Sequence, residues 1–432
     1  LTPKFLDDHL KVDVNAKGTM VDKNSIDEGG ALGGAVRMDP TKPIYDSNSL
    51  FGGYYQLTLP SDDALNPNSI RGAWNPLALL QQRDRFEKVN RILANVELDY
   101  KFHGLPELRA VTNVGLEGSR AEIEEQFDEN AIATYTLVPD PSVPVGTYIF
   151  NPGVSYREEQ HITNVTWESY LAYKKELEGF LNSFDVQAGY SYQNFKNDGN
   201  KDEFRNDEVT GERIPNIDPE NPNNRYYNTL NLQSFFGRSN INLGDRYLLT
   251  LSFRADGSSF FTEDNRWGYF PAAALAWKVK EESFMKDVNF INDFKIRAGW
   301  GETGQQDISG SVGFYPSIPL FEVGSPNSQF IEGVTLYNAK EFNPDLTWEK
   351  TTTYNLGFDF DFFTNSFLTG SFDLFKRETT DLLVLTNVPP GQALSDRLIQ
   401  NVGSTDSEGF ELNLNVNPVQ SESVNLSVNG NI

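Results

Sequence analysis

The stretch "TYNLGFDFDFF", residues 353–363, alternates strictly between apolar and polar side chains. One set of positions is aromatic or aliphatic: Tyr354, Leu356, Phe358, Phe360 and Phe362. The positions between them are polar or small: Thr353, Asn355, Gly357, Asp359 and Asp361. A period of two is typical of a β-strand whose faces meet different surroundings, because successive side chains point to opposite sides. The stretch therefore predicts a strand with one apolar and one polar face.

The same period of two recurs along the chain. It is clear in "ANVELDYKFH" (94–103), "FDVQAGYSY" (184–192) and "FELNLNV" (410–416). Extending the pattern predicts an all-β, antiparallel fold with about 13 strands. The predicted strands cover residues 4–20, 92–103, 108–118, 158–176, 182–194, 229–243, 246–257, 267–280, 292–302, 347–363, 366–377, 405–418 and 422–432.

From the second strand onward, the predicted connections alternate between short and long. The short ones are 104–107, 178–182, 244–245, 364–365 and 420–423, and the long ones are 119–157, 195–228, 303–346 and 378–404. Two intermediate connections fit the same series, 257–266 on the long side and 281–292, which is long enough for one helical turn, on the short side. Short turns at one end and long loops at the other are typical of an outer-membrane barrel.

Alternation by itself fits two architectures. In a soluble sandwich the apolar face meets a second sheet, whereas in a membrane barrel it meets lipid and the polar face lines the lumen. The runs are about as long as the ~9–11 residues that a strand needs to cross a bilayer, whereas sandwich strands average only ~5–6 residues. Tyr100, Tyr190, Trp267 and Tyr269 lie near strand ends, as interfacial aromatic residues do. We therefore predict an antiparallel transmembrane β-barrel.

Composition excludes several classes of protein. The chain has 36 Lys and Arg against 61 Asp and Glu, a net charge of −25, and this argues against a nucleic-acid partner. An aromatic content of 13% argues against disorder. The absence of Cys removes disulfides and thiolate metal sites. No run approaches the ~18 apolar residues of a membrane-spanning helix.

Residues 242–285, "NLGDRYLLTLSFRADGSSFFTEDNRWGYFPAAALAWKVKEESFM", resemble the SusC/RagA family of TonB-dependent outer-membrane transporters. The matching positions are Arg254, Asp256, Gly257, Ser258, Ser259, Phe261, Asn265, Gly268, Phe270, Pro271, Trp277, Glu282 and Phe284, with Phe261 one place later than usual. Further blocks of the family are matched by residues 31–46, 75–80, 293–308, 343–363 and 401–415. The resemblance therefore covers nearly the whole chain in order.

The resemblance implies a multi-pass barrel of the cell outer membrane with 22 strands, closed by an N-terminal plug. It also implies a TonB-contacting segment and a SusD-like surface lipoprotein that acts as a lid. We expect residues 1–432 to be part of the barrel domain, with the plug, TonB box and signal peptide outside them. The implied function is import of an oligosaccharide or oligopeptide, without a cofactor.

The matched segment also suggests structural roles for its residues. Alternation places Arg254 and Asp256 together on the lumen face, where a charge pair lies near water. Gly257, Ser258 and Ser259 are expected at a turn of the outer rim, and Trp267 and Tyr269 at the membrane interface. Pro271 cannot donate a hydrogen bond to a strand ladder and predicts a bulge or local break. We interpret these residues, with Gly268, Phe270 and Trp277, as barrel architecture.

The sequence contains no constellation typical of an enzyme. His9, His103 and His161 lack metal-ligand spacing, and no nucleophile elbow or phosphate loop occurs. "GGALGG" (29–34) lacks the Gly-x-Gly opening of a dinucleotide loop, and "NDGNKDEFRNDE" (197–208) lacks the spacing of a calcium loop. We therefore expect neither an enzyme nor a metal site.

Aromatic residues in the long loops are the candidate ligand contacts. They are able to stack on sugars or hold peptide side chains, and they are equally able to fix a loop against the rim. These candidates are Tyr226, Tyr227, Phe314, Tyr315, Phe321 and Tyr337.

Two other functions remain open at the level of sequence. One is a passive porin-like barrel, which an upstream plug would exclude. The other is a secreted β-sandwich that binds glycans, which would be soluble without detergent.

Overall fold

The computed structural model describes most of the chain. The described residues are 2–59, 69–70, 72–137, 148–150, 155–207, 210, 212–215, 224–308, 310, 313–324, 330–331, 333–389, 391, 397–421 and 423–432. Among them, no helix is long and apolar enough to cross a membrane.

One antiparallel sheet dominates the fold, and its long strands are the thirteen that alternation predicts. They are β1 (Leu10–Asn24), β2 (Arg83–Phe102), β3 (Leu105–Phe127), β4 (Ser155–Glu176), β5 (Leu181–Asn206), β6 (Arg225–Leu243), β7 (Tyr247–Ser258), β8 (Trp267–Lys278), β9 (Ile291–Gln305), β10 (Glu349–Phe362), β11 (Leu368–Thr380), β12 (Ser404–Gln420) and β13 (Asn425–Asn431). Each strand pairs with the next in sequence.

The remaining elements are short. Lys4–Phe5 pairs with β1, and Arg213–Pro215 pairs with β5. Four two-stranded hairpins lie in the long connections: Thr58–Leu59 with Ser69–Ile70, Tyr135–Leu137 with Tyr148–Phe150, Phe321–Val323 with Tyr337–Ala339, and Leu383–Asn387 with Arg397–Asn401. The helices are α1 (Glu28–Arg37) and α2 (Pro76–Gln81), with 3-10 turns at Ile132–Thr134, Glu263–Asn265, Val279–Glu281, Ser283–Met285 and Thr364–Ser366.

The connections alternate between the two ends of the sheet, as the sequence predicts. Consecutive strands are antiparallel neighbours, so each connection joins two strands at one end of the sheet, and the next connection lies at the opposite end. The short-turn end carries residues 103–104, 177–180, 244–246, 279–290, 363–367 and 421–424, and the long-loop end carries 25–82, 128–154, 207–224, 259–266, 306–348 and 381–403.

Strand boundaries differ from prediction in two ways. The predicted first strand, 4–20, is interrupted by a turn at residues 6–9, and β1 runs on to Asn24. Leu6, Asp7 and Asp8 have positive φ in this turn. At the long-loop end, β2 to β6 extend well beyond the predicted strands; β5 alone has 26 residues. In β5 the apolar alternation ends before hydrogen bonding does, because the outer part of this strand is mostly polar on both faces.

Register shows that apolar side chains share one face of the sheet. In the ladder Phe358 lies opposite Ile296 and Phe372, and the rings of Phe358 and Phe372 have centroids 6.4 Å apart. Asp359, on the other face, lies opposite Lys295 and Ser371. We call these the apolar face and the polar face. The alternation in residues 353–363 is confirmed.

Tight burial lies mainly outside the long strands. One buried cluster, the loop core, joins the long-loop end of the sheet to segments of three long connections. Its members are Leu230, Phe260, Phe261, Phe270, Leu346, Trp348 and Ile399. A second cluster, of Phe51, Ala78, Leu79 and Ile132, ties α2 to the connection after β3. Long loops are therefore held by their own cores.

Asn75 organises the second cluster. It is fully buried and caps α2 by accepting hydrogen bonds from the backbone N–H of Leu77 and Ala78 at 3.0 and 3.2 Å. Its side-chain amide donates to the carbonyls of Ile44 and Tyr55 at 2.8 and 2.9 Å. A single buried amide thus satisfies a helix end and two loop carbonyls.

Candidate functional site

The segment that follows β7 builds the centre of the loop core. Phe260 and Phe261 are fully or almost fully buried, and burial of a Phe side chain contributes about 1.5–3 kcal/mol. The Phe261 ring lies 5.6 Å from the Trp348 ring, and Phe260 lies 6.5 Å from Phe314, centroid to centroid. Two consecutive phenylalanines therefore join the connection after β7 to the connection after β9, both at the long-loop end.

Ser258 connects the same segments through hydrogen bonds. Its buried hydroxyl donates to Oε1 of Gln306 and accepts from the backbone N–H of Phe260 at 3.2 Å. The next hydroxyl, of Ser259, accepts from the backbone N–H of Asn231 at 2.9 Å. β7 ends at Ser258 and the chain turns there, as predicted, whereas Gly257 still lies within the strand.

Further hydrogen bonds fasten the loop core across the sheet. The Trp348 indole donates to the carbonyl of Arg266 at 2.9 Å, and Ser317 donates to the carbonyl of Phe260 at 2.6 Å. Asn343 donates to the carbonyl of Ile399 at 2.9 Å. The connections after β7, β9 and β11 thereby form one packed unit at the long-loop end.

Arg254 and Asp256 form the ion pair that alternation predicts. Their side chains are 2.9 Å apart, and the Arg254 guanidinium lies 5.7 Å from the Phe236 ring centroid. Register places Arg254 opposite Phe236 and Phe270, on the polar face that carries Asp359. The loop core therefore covers the polar face.

Gly268 makes this packing possible. A side chain at Gly268 would collide with the Phe270 ring and would lie 3.1 Å from Trp348. The same ring would clash with a side chain at Gly304. Only glycine at these positions leaves room for the Phe270 ring, which meets the Trp348 ring edge to face at 5.4 Å between centroids.

The prediction of a bulge or local break at Pro271 is met by a break in pairing on one side only, with no bulge on the other. Pro271 lies opposite Phe253 in an uninterrupted β7–β8 ladder. On its other side, the ladder with β9 begins only at Ala272, opposite Gly301. Pro271 thus occupies the point where β8 loses its second neighbour, so its missing N–H leaves the remaining ladder intact.

Trp267, Tyr269 and Trp277 lie on the apolar face, at both ends of β8. Trp267 stacks on Phe235 at 6.0 Å and Tyr269 stacks on Phe253 at 6.3 Å. At the short-turn end, the Trp277 indole donates to Glu282 at 3.1 Å.

Glu282 ties together the turn between β8 and β9. The Tyr247 hydroxyl donates to it at 2.7 Å, and Arg246 forms an ion pair with it at 3.1 Å. Together with the Trp277 hydrogen bond, these contacts hold the pKa of the Glu282 carboxyl below its usual value, with Tyr247 the largest cause.

A cleft of about 460 Å³ lies on the polar face beside the loop core. It is lined by Phe236 and Phe270, by the Arg254–Asp256 pair, and by Gln187, Arg238 and Glu302. Aromatic surface beside charged and amide groups is able to contact a sugar ring or a peptide. Sequence reasoning identified Arg254, Asp256 and Phe270 but missed the other four, because they come from separate strands.

A charge ladder on the polar face was also missed. Asp359 contacts Lys295 at 2.7 Å and Arg297 at 2.9 Å, and Arg297 also contacts Asp373 at 3.0 Å. The alternation in β10 identified Asp359 as polar, but its partners became visible only with register. Every charged side chain in this ladder is paired with one of opposite charge. The arrangement fits a face in contact with water and does not point to a catalytic group.

The predicted loop aromatics do not form one site. Tyr315 accepts from the backbone N–H of Thr229 at 3.0 Å and donates to the carbonyl of Tyr227 at 3.2 Å. Tyr226 donates to Glu158 at 2.7 Å, and Phe314 packs on the loop core. Tyr315 and Phe314 thus hold a long loop, whereas Tyr226 lies on β6 and not in a loop, and its partner Glu158 lies on β4. Contact of these three residues with a ligand remains a prediction.

Tyr227, Tyr337 and Phe321 are exposed. Tyr227 is 61% exposed and has the Lys196 ammonium 4.7 Å from its ring centroid. Tyr337 and Phe321 lie on paired strands of one hairpin, at 58% and 68% exposure. They are the loop aromatics most accessible to a ligand or partner.

Within the described part of the chain, no group of three or more His, Cys, Asp or Glu side chains is arranged to hold a metal ion. His9 and His103 stack at 3.8 Å in neighbouring turns of the short-turn end, and His161 lies 3.4 Å from Glu159 on β4. Glu208, in the acidic stretch 197–208, lies outside the described residues.

Comparison with known proteins identifies the family. Residues 37–432 match the model of the TonB dependent receptor-like β-barrel. The chain belongs to the TonB-dependent receptor β-barrel family. It is 36% identical to the TonB-dependent receptor SusC of Bacteroides thetaiotaomicron, over 100% of the chain and 42% of that protein. It is 27% identical to TonB-dependent receptor P26 of Formosa agariphila, over 97% of the chain and 39% of that protein.

Solved structures show the same fold. The RagAB peptide transporter superposes with a TM-score of 0.70 at 20% identity, over 98% of this chain and 44% of that one. The RagAB peptide importer in its closed-closed state gives 0.73 at 20% identity, over 100% and 45%. The SusC/RagA resemblance and the all-β antiparallel barrel fold are thus confirmed. The chain spans about two fifths of the length of the curated TonB-dependent receptors that it matches.

In the described part of this receptor barrel, the sheet ends at Lys4–Phe5, next to β1, and at β13, and these two edges do not pair with each other. The loop core, the cleft and the charge ladder all belong to the polar face. The family is one of TonB-dependent receptors, and two faces of different polarity fit a barrel wall.

Proposed function

We propose that the chain forms the barrel wall and outer loops of a TonB-dependent importer of an oligosaccharide or oligopeptide in the cell outer membrane. The observation that carries the proposal is the sheet with two chemically different faces, capped by a loop core on the polar one. A wall of this kind suits lipid outside and a wet lumen inside. The chain then spans the membrane many times, with the short turns on the periplasmic side.

The polar face supports a lumen through which a plug or ligand moves. Its charges are paired, as in Arg254–Asp256 and the Lys295–Asp359–Arg297–Asp373 ladder. Such a face exchanges hydrogen bonds with a polar plug or with water at similar free energy. Hydrophobic burial would hold a plug more firmly and would oppose each transport cycle.

The cleft beside the loop core is the proposed ligand vestibule. It combines Phe236 and Phe270 with amide, carboxylate and guanidinium groups, and it opens next to loops that carry exposed aromatics. The role of these residues is to bind and guide the substrate, and no catalytic residue is assigned. A plug outside these residues closes the lumen, and a SusD-like lipoprotein covers the loops.

Transport by the full-length protein tests the proposal. Cells that carry it are given a panel of labelled oligosaccharides and oligopeptides, and the compound whose uptake depends on the protein is identified by comparison with a deletion strain. Uptake of that compound is expected to stop when TonB is deleted or the inner membrane is de-energised. Uptake that continues unchanged without TonB would instead indicate a passive porin.

A further inference from the structure

Three of the turns at the short-turn end carry exposed phenylalanines. They are the connections 177–180, 279–290 and 363–367. We call their phenylalanines the Phe rim: Phe180 (64% exposed), Phe284 (65%), Phe290 (56%), Phe363 (46%) and Phe367 (42%). These side chains lie beyond the last residues of the strands, where a turn that faces water is ordinarily polar.

The Phe rim continues the apolar face without a break. Phe362, on the apolar face of β10, contacts Phe363 at 6.4 Å between ring centroids. Phe363 in turn lies 6.3 Å from Phe290 and 6.2 Å from Phe367. Aromatic surface therefore runs from the strand into two adjacent turns, and one surrounding medium must cover both.

The position of the charged side chains locates that medium. On the apolar face of β5, the side chains from Phe184 to Tyr192 are apolar, and those that follow are Asn194, Lys196 and Asp198. Lys196 and Asp198 pair at 3.0 Å, and Asp198 lies 3.7 Å from His161 on β4. Residues 184–192 match the ~9–11 residues that cross a bilayer, so the apolar band lies against the short-turn end.

We propose that the Phe rim is inserted into the periplasmic phospholipid leaflet, at the boundary between headgroups and acyl chains. The inference rests on the proposed function, because it requires the apolar face to meet lipid. Tyr and Trp sit at headgroup level because their polar atoms seek water. Phe lacks such an atom, so its ring lies deeper in the leaflet than a Tyr or Trp ring. The turn that carries it therefore lies close to the acyl chains.

The long-loop end then stands clear of the membrane. Residues 193–206 of β5, with the paired parts of β4 and β6, rise above the apolar band as a polar wall. The barrel is therefore anchored asymmetrically, flush with the bilayer on the periplasmic side and raised on the outer side. A periplasmic protein is the other occupant that would cover an exposed aromatic rim.

Depth-dependent fluorescence quenching distinguishes these occupants. This chain has no Cys, so Phe284→Cys introduces a single labelling site into it. The full-length protein, with any cysteine elsewhere replaced, is labelled with the dye NBD and reconstituted into phospholipid vesicles. The matched control is Asp245→Cys, in the polar turn between β6 and β7, and Leu356→Cys on the apolar face reports insertion.

The dye at position 284 is expected to be quenched by lipids with a nitroxide high on the acyl chain, at least twofold more than the dye at 245. Iodide in the buffer is expected to show the reverse order. Equal quenching by iodide at both positions, with the dye at 356 quenched by lipid, would overturn the Phe rim proposal alone. Absence of lipid quenching at 356 would overturn the barrel placement on which it rests.

Discussion

At the scale of single residues, Ser258 shows how one side chain of the family motif controls several loops. It is fully buried, accepts from Phe260 and donates to Gln306. Its backbone N–H also donates to the carbonyl of Arg266 at 3.2 Å, which closes the connection after β7. A hydroxyl in this position satisfies partners from two connections that sequence distance alone would not bring together.

Replacement of Ser258 by Ala is expected to loosen the loop core. The substitution leaves a buried N–H and a buried amide oxygen without this partner, at a cost of about 1–3 kcal/mol. Protease cleavage within residues 306–348 of the folded, membrane-inserted protein should become faster. The rate of cleavage under native conditions is the measurement.

Ser252→Ala provides the matched control for this prediction. Ser252 lies on the same strand and polar face, in the wall of the cleft. It is expected to leave the cleavage rate unchanged. Equal rates for Ser258→Ala and the unsubstituted protein would show that the hydroxyl does not hold the loops.

At the scale of elements, alternation was sufficient to find every long strand. A period of two reports which side chains share a face, and register in an antiparallel sheet preserves it. Residues 353–363 therefore predicted both faces of β10. The ends of the strands were harder to predict. The polar outer part of β5 forms backbone hydrogen bonds with its neighbours without an apolar face, so alternation does not mark where the strand ends.

Contacts between distant strands could not be predicted. Arg238, Glu302 and Gln187 meet only because the five strands β5 to β9 are in register, and no local pattern records that. Trp348 carried a signal, since it lies in a block matched to the family, but its place in the loop core depends on Gly268 and Gly304. Pro271 predicted a bulge or a local break, and the sequence alone could not tell which, because a missing neighbour strand has no signature in sequence.

The two faces of the sheet predict opposite responses to an added charge. Phe358→Arg places a cation on the apolar face and is expected to destabilise the folded barrel by ~2–4 kcal/mol if that position lies near the bilayer midplane. Ser371→Arg, one strand away on the polar face and beside Asp359, is the matched control and should have a much smaller effect. Folding free energies measured in bilayers compare them.

Asp359→Asn would be a poorer polar control than Ser371→Arg. Asp359 is bound by Lys295 and Arg297, so its loss would leave Lys295 without this partner and Arg297 with Asp373 alone. The cost would therefore exceed what polarity alone predicts. A larger destabilisation by Ser371→Arg than by Phe358→Arg would reverse the assignment of lipid and lumen.

At the scale of the whole molecule, the long-loop end offers a partner surface. Each long connection leaves the sheet at this end, and the helix α1 in the first of them exposes Leu32 and Val36 at 69% and 85%. The Tyr337–Ala339 hairpin exposes aromatics at the same end. Apolar side chains on polar surroundings are typical of interface centres.

We expect the full-length protein to be recovered with a SusD-like surface lipoprotein when it is isolated in mild detergent. Leu32→Asp combined with Val36→Asp should release this partner, because a desolvated carboxylate without a counter-charge opposes docking. Phe284→Asp, an equally exposed side chain at the opposite end of the sheet, should leave the complex intact. Mass spectrometry of the purified sample quantifies the lipoprotein for each variant. Recovery of the unsubstituted barrel without the lipoprotein would count against a stable lid. If Phe284→Asp reduces the amount of bound lipoprotein as much as the double substitution does, the partner does not bind at the long-loop end.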